Sequence, residues 1–294
     1  MYPPPKIVKV GDRRLAVEDS GPEDGFALLL HSGTGSRHIY PGALADAKRY
    51  GFRLVSYDRP GLGQSDSQDG RRVADSIVDV RAIADALEIE SLAVWGSSGG
   101  GPYAVATAVG LPDIVRCVGL FAPVGPYGTD HLDFTEGMDV GDDFLAAVAQ
   151  LLDDPSTAKD CFMGQVTEML ETQGSTDWWI RRWGDLAGRD DAHSVAWAQY
   201  LADCAIDGYG TNGEGWWEDW LATFLPWGFD VEKPECPISL WHGVDDQMVP
   251  VTHALWYAAK LTRISLQLLP NIDHTNIDEN LRTTAMEWTL QHVG

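Results

Sequence analysis

The chain has 294 residues, of which 44% are hydrophobic and 22% are charged, an ordinary globular composition that allows a sizeable core. Its net charge of −23 makes nucleic acid and anionic membranes poor partners, because so acidic a surface repels phosphate. Because MYPPPK has no apolar region behind its basic residue, we expect no secretory signal. The sequence has no run of eighteen apolar residues, and the four cysteines form no CxxC pair. We therefore expect a cytoplasmic protein with reduced thiols and no membrane span.

The first part of the chain alternates predicted strands with predicted helices. It begins with a hairpin signal around Gly11-Asp12, where branched and polar residues alternate. Predicted strands cover 26–31, 52–57, 91–95 and 117–121, and predicted helices cover 40–50, 75–87 and 102–109. This alternation predicts right-handed βαβ units and a largely parallel sheet.

The alternation is interrupted by a segment that is helical in pattern, acidic and rich in tryptophan. It carries 21 acidic and 4 basic residues and eight of the chain's twelve tryptophans. Strand–helix alternation then resumes, with strands at 238–242 and 265–269 and helices at 252–260 and 280–292. An insertion between two strands of one sheet folds as a cap over that sheet. We therefore expect an α/β core of residues 1–124 and 231–294 and a helical cap of residues 125–230.

A candidate nucleophile lies between a predicted strand and a predicted helix. The run at 96–100 (GSSGG) matches GxSxG, with Ser98 at its centre. Strand SLAVW leads into it and helix PYAVATAV leads out, which is the setting of a nucleophile elbow. Only small residues at Gly96 and Gly100 tolerate such a tight turn. The alternative, a nucleotide-binding turn, fits badly because GxGxxG is absent.

A serine hydroxyl needs a base, and eight histidines compete for this role. His274 follows the strand at 265–269 across a short turn, at the edge where an α/β sheet presents catalytic groups. His31 and His242 end buried strands, which favours a structural or rim role. The other histidines lie on helices or loops without a pattern and are expected to be exposed or satisfied. His274 is therefore the predicted base.

The acid that orients the base follows the strand at 238–242. Asp245 and Asp246 both lie there, and either could reach the histidine. An acid at this point comes after the serine and before the histidine, as this catalytic order requires. The usual alternative location, directly after the strand at 117–121, holds no aspartate.

These motifs resemble the α/β-hydrolase superfamily over essentially the whole chain. Within it, the chain resembles capped serine hydrolases of the prolyl-iminopeptidase, esterase and meta-cleavage-product-hydrolase kind. The run 58–65 (DRPGLGQS) matches that family's D-R-x-G-x-G-x-S turn. The family's G-x-x-D-x-x-V-P motif places the acid at Asp246, and its P-x-x-G-H motif places the base at His274, with Asp273 where glycine is usual. The resemblance implies a mostly parallel eight-stranded sheet with a helical cap after strand six.

The resemblance also suggests an oxyanion hole. The family's H-G-x-P-G appears at 31–35 as HSGTG. A gapless match makes the backbone N–H of Gly33 one donor, whereas a shifted match would use Thr34. The second donor is the N–H of Gly99, directly after the nucleophile. Ser97 stands where many relatives have histidine or a larger residue, which leaves extra room near the nucleophile.

The sequence thus predicts a cofactor-independent serine hydrolase acting on an ester, thioester or lactone, without a metal. Most cap tryptophans are expected in the cap's own core, with a few lining a pocket for an apolar or aromatic substrate. The alternatives are an aminopeptidase whose acidic segment 214–220 (EGWWEDW) holds an amine, a C–C bond hydrolase, and a non-catalytic small-molecule receptor. A serine nucleophile excludes epoxide hydrolases and haloalkane dehalogenases, which use aspartate. The partner expected is a small molecule, and the oligomeric state, a homodimer included, is left open.

Overall fold

A computed structural model gives the architecture. It describes residues 2–33, 36–151, 153–173, 192–210, 213–274 and 279–294. Within them, eight strands form one sheet in the order β1-β2-β4-β3-β5-β6-β7-β8. The strands are β1 (Lys6–Val10), β2 (Arg13–Ser20), β3 (Phe26–His31), β4 (Phe52–Tyr57), β5 (Leu92–Ser97), β6 (Val115–Phe121), β7 (Ile238–Gly243) and β8 (Ile264–Leu269).

Only the first hairpin departs from a parallel arrangement. Strand β2 is antiparallel to both β1 and β4, and β3 to β8 pair in parallel. The hairpin turns at Gly11, whose φ of 59° lies in the left-handed region that glycine adopts readily. The mostly parallel α/β-hydrolase sheet expected from the sequence is confirmed.

Helices cover both faces of the sheet and continue into the segment between β6 and β7. They are α1 (Pro41–Tyr50), α2 (Ser76–Ala86), α3 (Gly101–Gly110), α4 (Asp142–Gln150), α5 (Pro155–Gln173), α6 (Ala192–Tyr209), α7 (Glu214–Phe224), α8 (Val251–Lys260) and α9 (Glu279–Val293). Helices α2, α3 and α8 bury their apolar residues on one face, and α1 and α9 on the other. None of the described helices is long and apolar enough to cross a membrane.

The helices between β6 and β7 have an apolar cluster of their own. Phe134, Leu151, Phe162, Trp217 and Phe224 are buried together there. The division of the chain at residues 124 and 231 stays a prediction. We refer to residues 125–230 as the cap.

The sheet order locates the crevice. Strand β4 lies on one side of β3, and the strands from β5 onward lie on its other side. The direction in which the chain adds strands therefore reverses between β3 and β5. In open α/β sheets, ligands bind beyond the carboxyl ends of the strands at such a switch point. A ligand site is therefore expected at the loops that follow β3 and β5.

Candidate active site

Ser98 lies in a tight turn between β5 and α3. Its φ of 51° is left-handed, an uncommon conformation for a residue with a side chain. A Cβ atom at Gly96 would come within 2.7 Å of the Gly100 carbonyl oxygen, and one at Gly100 would overlap the His31 carbonyl oxygen. The turn therefore requires glycine on both sides of the serine. It presents Ser98 at the carboxyl edge of the sheet, as the strand–turn–helix pattern predicts.

The structure brings Ser98, His274 and Asp246 into one hydrogen-bonded line. The His274 Nε2 atom is 3.0 Å from the Ser98 Oγ atom, and its Nδ1 atom is 2.7 Å from Asp246 Oδ2. The other oxygen of Asp246 accepts the backbone N–H groups of Met248 and Val249 at 2.9 and 2.8 Å. These bonds fix the orientation of the buried Asp246 carboxylate. The carboxylate in turn favours the His274 tautomer in which Nδ1 carries the proton, so that Nε2 can accept a proton from Ser98.

The neighbouring aspartate is placed differently. Asp246 is 4% exposed, whereas Asp245 is exposed to solvent. The backbone N–H of Asp245 donates to the carbonyl oxygen of Ile272, which ties the loop after β7 to the loop that carries His274. Of the two residues left open by spacing alone, Asp246 is the one in contact with His274.

Three buried histidines have other partners. His242 Nε2 donates to the Val249 carbonyl oxygen at 2.7 Å, and His253 Nε2 donates to that of Phe134 at 3.0 Å. Burial lowers the pKa of His253 to about 4 and that of His31 to about 3, and burial also lowers the pKa of His242. These side chains are therefore neutral and serve the packing of the core.

Gly33 lies beside the nucleophile. A Cβ atom on Gly33 would be 2.8 Å from Ser98 Cβ and 3.5 Å from Ser98 Oγ, so only glycine fits. A Cβ atom on Gly99 would be 3.3 Å from the Gly33 carbonyl oxygen. The loops after β3 and β5 are thus in contact around Ser98. Thr34, the alternative oxyanion donor, lies outside the described residues.

The turn at 58–65 is built around a buried carboxylate. Asp58 accepts the backbone N–H and the guanidinium of Arg37 at 2.7 and 2.8 Å, and the backbone N–H of Gln64 at 3.0 Å. Gly63 has a φ of 52°, and a Cβ atom there would overlap the Asp58 carboxylate. The acidic and glycine positions of the motif therefore shape the turn.

A second buried carboxylate joins the cap to this turn. Asp219 on α7 accepts two hydrogen bonds from Arg59, at 2.7 and 2.6 Å, and others from Arg71 and Tyr103. Burial opposes the charge of Asp219, but the two guanidinium groups outweigh it and hold the pKa of the carboxyl well below its usual range. Sequence reasoning missed this cluster. The only signals were an arginine inside the 58–65 motif and acidic residues inside segment 214–220.

A cavity of about 570 Å³ opens above Ser98 and Gly99. Most of its wall is apolar and belongs to the cap. The aromatic side chains that line it are Phe134, Phe144, Tyr209, Trp216, Trp220 and Phe224. Its charged lining residues are Asp139, which is exposed, and Asp219, which is paired with two arginines.

The cap tryptophans divide between packing and cavity lining. Trp216 and Trp220 line the large cavity, whereas Trp217 and Trp227 are buried in apolar clusters. Trp197 lines a smaller cavity of about 120 Å³ together with Trp95, Phe121 and Ser97. Ser97 lines this smaller cavity and Ser98 does not, so the extra room expected near the nucleophile stays a prediction. Trp178, Trp179 and Trp183 lie outside the described residues.

The strand order and the elbow define an α/β-hydrolase architecture. The family model described as alpha/beta hydrolase fold matches residues 28–281, and the chain belongs to this family. In the described part of the chain, no group of three or more His, Cys, Asp or Glu residues is arranged to hold a metal ion.

Individual relatives have several different hydrolase and peroxidase names. A non-heme chloroperoxidase from Streptomyces lividans is 27% identical over 256 residues, covering 83% of each chain. A 3-oxoadipate enol-lactonase from Acinetobacter baylyi is 34% identical over 89 residues, covering 30% of this chain and 34% of the lactonase. The structure of an esterase from Exiguobacterium antarcticum matches 98% of this chain and 99% of its own, with a TM-score of 0.68 at 17% identity. The chain is thus an enzyme of the hydrolase class, with its substrate left open.

Proposed function

We propose that the protein is a cofactor-independent serine hydrolase that cleaves an ester, thioester or lactone of a neutral apolar or aromatic substrate. The observation that carries the proposal is the line from Ser98 through His274 to Asp246, which opens into an aromatic cavity. An enzyme with this arrangement works through an acyl-enzyme.

In the first half of the reaction, the Ser98 oxygen attacks the substrate carbonyl while His274 Nε2 takes its proton. Asp246 stabilises the imidazolium that forms. The N–H groups of Gly33 and Gly99 bind the negative oxygen of the tetrahedral intermediate. The intermediate collapses, His274 returns the proton to the departing alcohol or thiol, and the acyl group stays on Ser98.

In the second half, water attacks the acyl-enzyme. His274 takes a proton from the water as its oxygen bonds to the acyl carbon, and the same N–H groups bind the new oxyanion. Collapse releases the carboxylic acid, and His274 gives the proton back to Ser98. A lactone follows the same steps, except that its alcohol group stays attached to the acid.

The cavity wall supports an apolar substrate. Burying one aromatic ring against such surfaces yields about 1.5–3 kcal/mol, independently of salt. The cap's acidic surface has less influence, because charges beyond about 8–10 Å are screened at physiological ionic strength.

The aminopeptidase alternative needs a carboxylate that is free to bind an amine. In segment 214–220, Asp219 is shared by two guanidinium groups and Glu214 pairs with Lys159 at 2.7 Å. These pairs occupy two of the segment's three carboxylates, and the third, Glu218, is not among the residues that line the cavity. The other lining carboxylate, Asp139, is exposed to solvent. The C–C hydrolase alternative uses the same triad, and a diketone assay distinguishes it from ester hydrolysis.

The test is a panel of aryl and long-acyl esters, an N-terminal proline anilide and a diketone, across a salt series. We expect the esters to be hydrolysed fastest, and the Ser98→Ala variant to lose about 10³- to 10⁶-fold in turnover while remaining folded. A fluorophosphonate should label a peptide containing residues 96–100. Faster cleavage of the anilide, with an advantage that shrinks as salt rises, would contradict the apolar-substrate proposal.

One further assay follows from the chloroperoxidase relative. The ester assays are repeated with hydrogen peroxide and halide. If hydrogen peroxide attacks the acyl-enzyme in place of water, the product is a peracid instead of a carboxylic acid. The peracid then oxidises halide in solution. Halogenation that depends on both Ser98 and an acyl donor would assign this second outcome to the same site.

A further inference from the structure

Arg59 contacts three parts of the site with one buried guanidinium group. Its Nε and Nη2 atoms donate to both oxygens of Asp219 on the cap helix α7, at 2.7 and 2.6 Å. Its Nη1 atom donates to the carbonyl oxygen of Ser32 at 2.6 Å. Its Cζ atom lies 4.6 Å from the ring centre of Tyr103 on α3, the helix that leaves the elbow. With 1% of its surface exposed, the group is held by these contacts.

The contact with Ser32 acts on the neighbouring residue. The carbonyl of Ser32 and the N–H of Gly33 belong to one peptide unit, which is planar, with its C=O and N–H bonds pointing in opposite directions. A donor that fixes the oxygen therefore fixes the direction of the N–H. Gly33 has no side chain to restrict its backbone, so this peptide needs a restraint from elsewhere.

We propose that Arg59 is a positioning residue for the oxyanion hole. It holds the Ser32–Gly33 peptide so that the Gly33 N–H points at the acyl oxygen, and its charge polarises the peptide and strengthens the N–H as a donor. This inference rests on the proposed function, in which Gly33 is an oxyanion donor. Because Asp219 fixes Arg59 by two hydrogen bonds, the docking of the cap and the orientation of this donor are coupled.

Arg71 provides a matched control. It is also buried, donates to the same Asp219 carboxylate, and contacts the same Tyr103 through a hydrogen bond of 2.8 Å. The described side-chain hydrogen bonds of Arg71 go to Asp219 and Tyr103. The carbonyl oxygen of Ser32 accepts its hydrogen bond from Arg59 instead. Removing either arginine therefore takes one positive charge from the same cluster, but only the loss of Arg59 removes the described hydrogen bond from a guanidinium to the Ser32 oxygen.

The experiment compares Arg59→Gln and Arg71→Gln with the wild type. Two rates are measured: the turnover of a chromogenic aryl ester and the labelling of Ser98 by a fluorophosphonate. In the labelling step the Ser98 oxygen displaces fluoride from phosphorus, its proton goes to His274, and the phosphoryl oxygen occupies the oxyanion hole. The labelling rate thus reports on the donor without requiring the natural substrate.

We expect Arg59→Gln to lower kcat and the labelling rate together by about 10- to 100-fold, somewhat less than the loss of an oxyanion donor. Its KM should change by less than about threefold, because the ester binds without the oxyanion contact. Arg71→Gln should keep both rates within about threefold of the wild type. A role limited to anchoring the cap would affect both variants alike.

The outcomes separate the inference from the proposed function. If the wild type neither hydrolyses esters nor reacts with the fluorophosphonate, the proposed function fails and the inference fails with it. If the wild type reacts but Arg59→Gln and Arg71→Gln are equally impaired or equally active, only the inference is wrong. Unfolding curves establish that the variants fold. If Arg59→Gln does not, Arg59→Met replaces it, paired with Arg71→Met, because methionine has neither the charge nor a donor for the Ser32 oxygen. Wild-type rates in Arg59→Met overturn the inference.

Discussion

One aspartate is buried at the catalytic edge of the sheet and another at the interface of the cap. The partners of these two carboxylates neutralise their negative charges to different extents. Asp246 accepts hydrogen bonds from two backbone N–H groups and pairs with His274, and the neutral ring of His242 lies 3.6 Å away, so its negative charge is not cancelled by a fixed cation. Asp219 lies between Arg59 and Arg71, so its charge is more than cancelled. Burial and residue type are the same in both places. The charge of the partners decides which carboxylate can stabilise a developing imidazolium and which one joins two parts of the fold.

The strongest test of this comparison removes the charge of Asp246. Asp246→Asn keeps the shape of the side chain but loses the acceptor that selects the His274 tautomer, and we expect kcat to fall by roughly 10⁴-fold. Asp245→Asn is the control, and as an exposed position it should change kcat by less than about threefold. Both are measured by ester hydrolysis. The opposite ranking would mean that the acid had been assigned to the wrong one of the two residues.

Removing the charge of Asp219, at the interface of the cap, should lower the stability of the fold. Asp219→Asn leaves two buried guanidinium groups without a carboxylate, and we expect the free energy of unfolding to fall by about 3–5 kcal/mol. Because the pKa of Asp219 is lowered, its contribution is present above the unfolded-state pKa of about 3.9 and is lost as pH falls further. Urea denaturation at neutral pH gives the difference. Glu214→Gln, which breaks the exposed pair with Lys159, should cost less than about 1 kcal/mol.

A smaller effect is expected where a titratable cation joins cap and core. His38 Nε2 lies 2.6 Å from Asp207 on α6, and its Nδ1 lies 3.8 Å from Glu18. Burial and the charge of Arg37 lower the pKa of His38, but the two carboxylates outweigh them and raise it above its ordinary value. The contact therefore stabilises the fold fully below the unfolded-state pKa of about 6.5 and is lost as pH rises through the folded-state value.

The variant His38→Gln tests this pH dependence. The stability difference from the wild type should be about 1 kcal/mol or less, because Asp207 is 55% exposed, and it should be larger at pH 5.5 than at pH 8.5. Urea denaturation at the two pH values measures it. An equal difference at both would show that His38 contributes by packing alone. The Asp219→Asn difference should not vary over the same interval.

The sequence predicted the sheet, the elbow and the residues of the triad line because their signals are local. The predicted strands and helices of the core lie within two residues of their observed ends. Glycines at 96 and 100 are dictated by one tight turn, and His274 follows its strand across a short turn. Each of these features depends on neighbours in the chain, so periodicity and spacing are sufficient to find them. The choice of Asp246 over Asp245 is the exception, because it came from the family resemblance.

The cap interface could not be predicted in this way. Segment 214–220 contains three acidic residues, and nothing in its pattern indicates that Asp219 is the buried one. Arg59 meets Asp219 across 160 positions of sequence, a contact that only the folded chain creates. Likewise, Trp216 and Trp217 are adjacent and aromatic, yet one lines the cavity and the other is buried in the cap cluster. Which face of a helix meets a cavity depends on tertiary packing.

The left-handed backbone at Ser98 has a consequence for selection. A side chain in this conformation destabilises the native state by about 1–2 kcal/mol relative to a relaxed residue, and glycine would relieve the strain. Alanine at this position would carry the same strain as serine. A lineage selected for stability alone would therefore drift toward glycine at position 98, at the expense of the hydroxyl. A serine in so unfavourable a conformation is a trade-off between activity and stability, confined to a single residue.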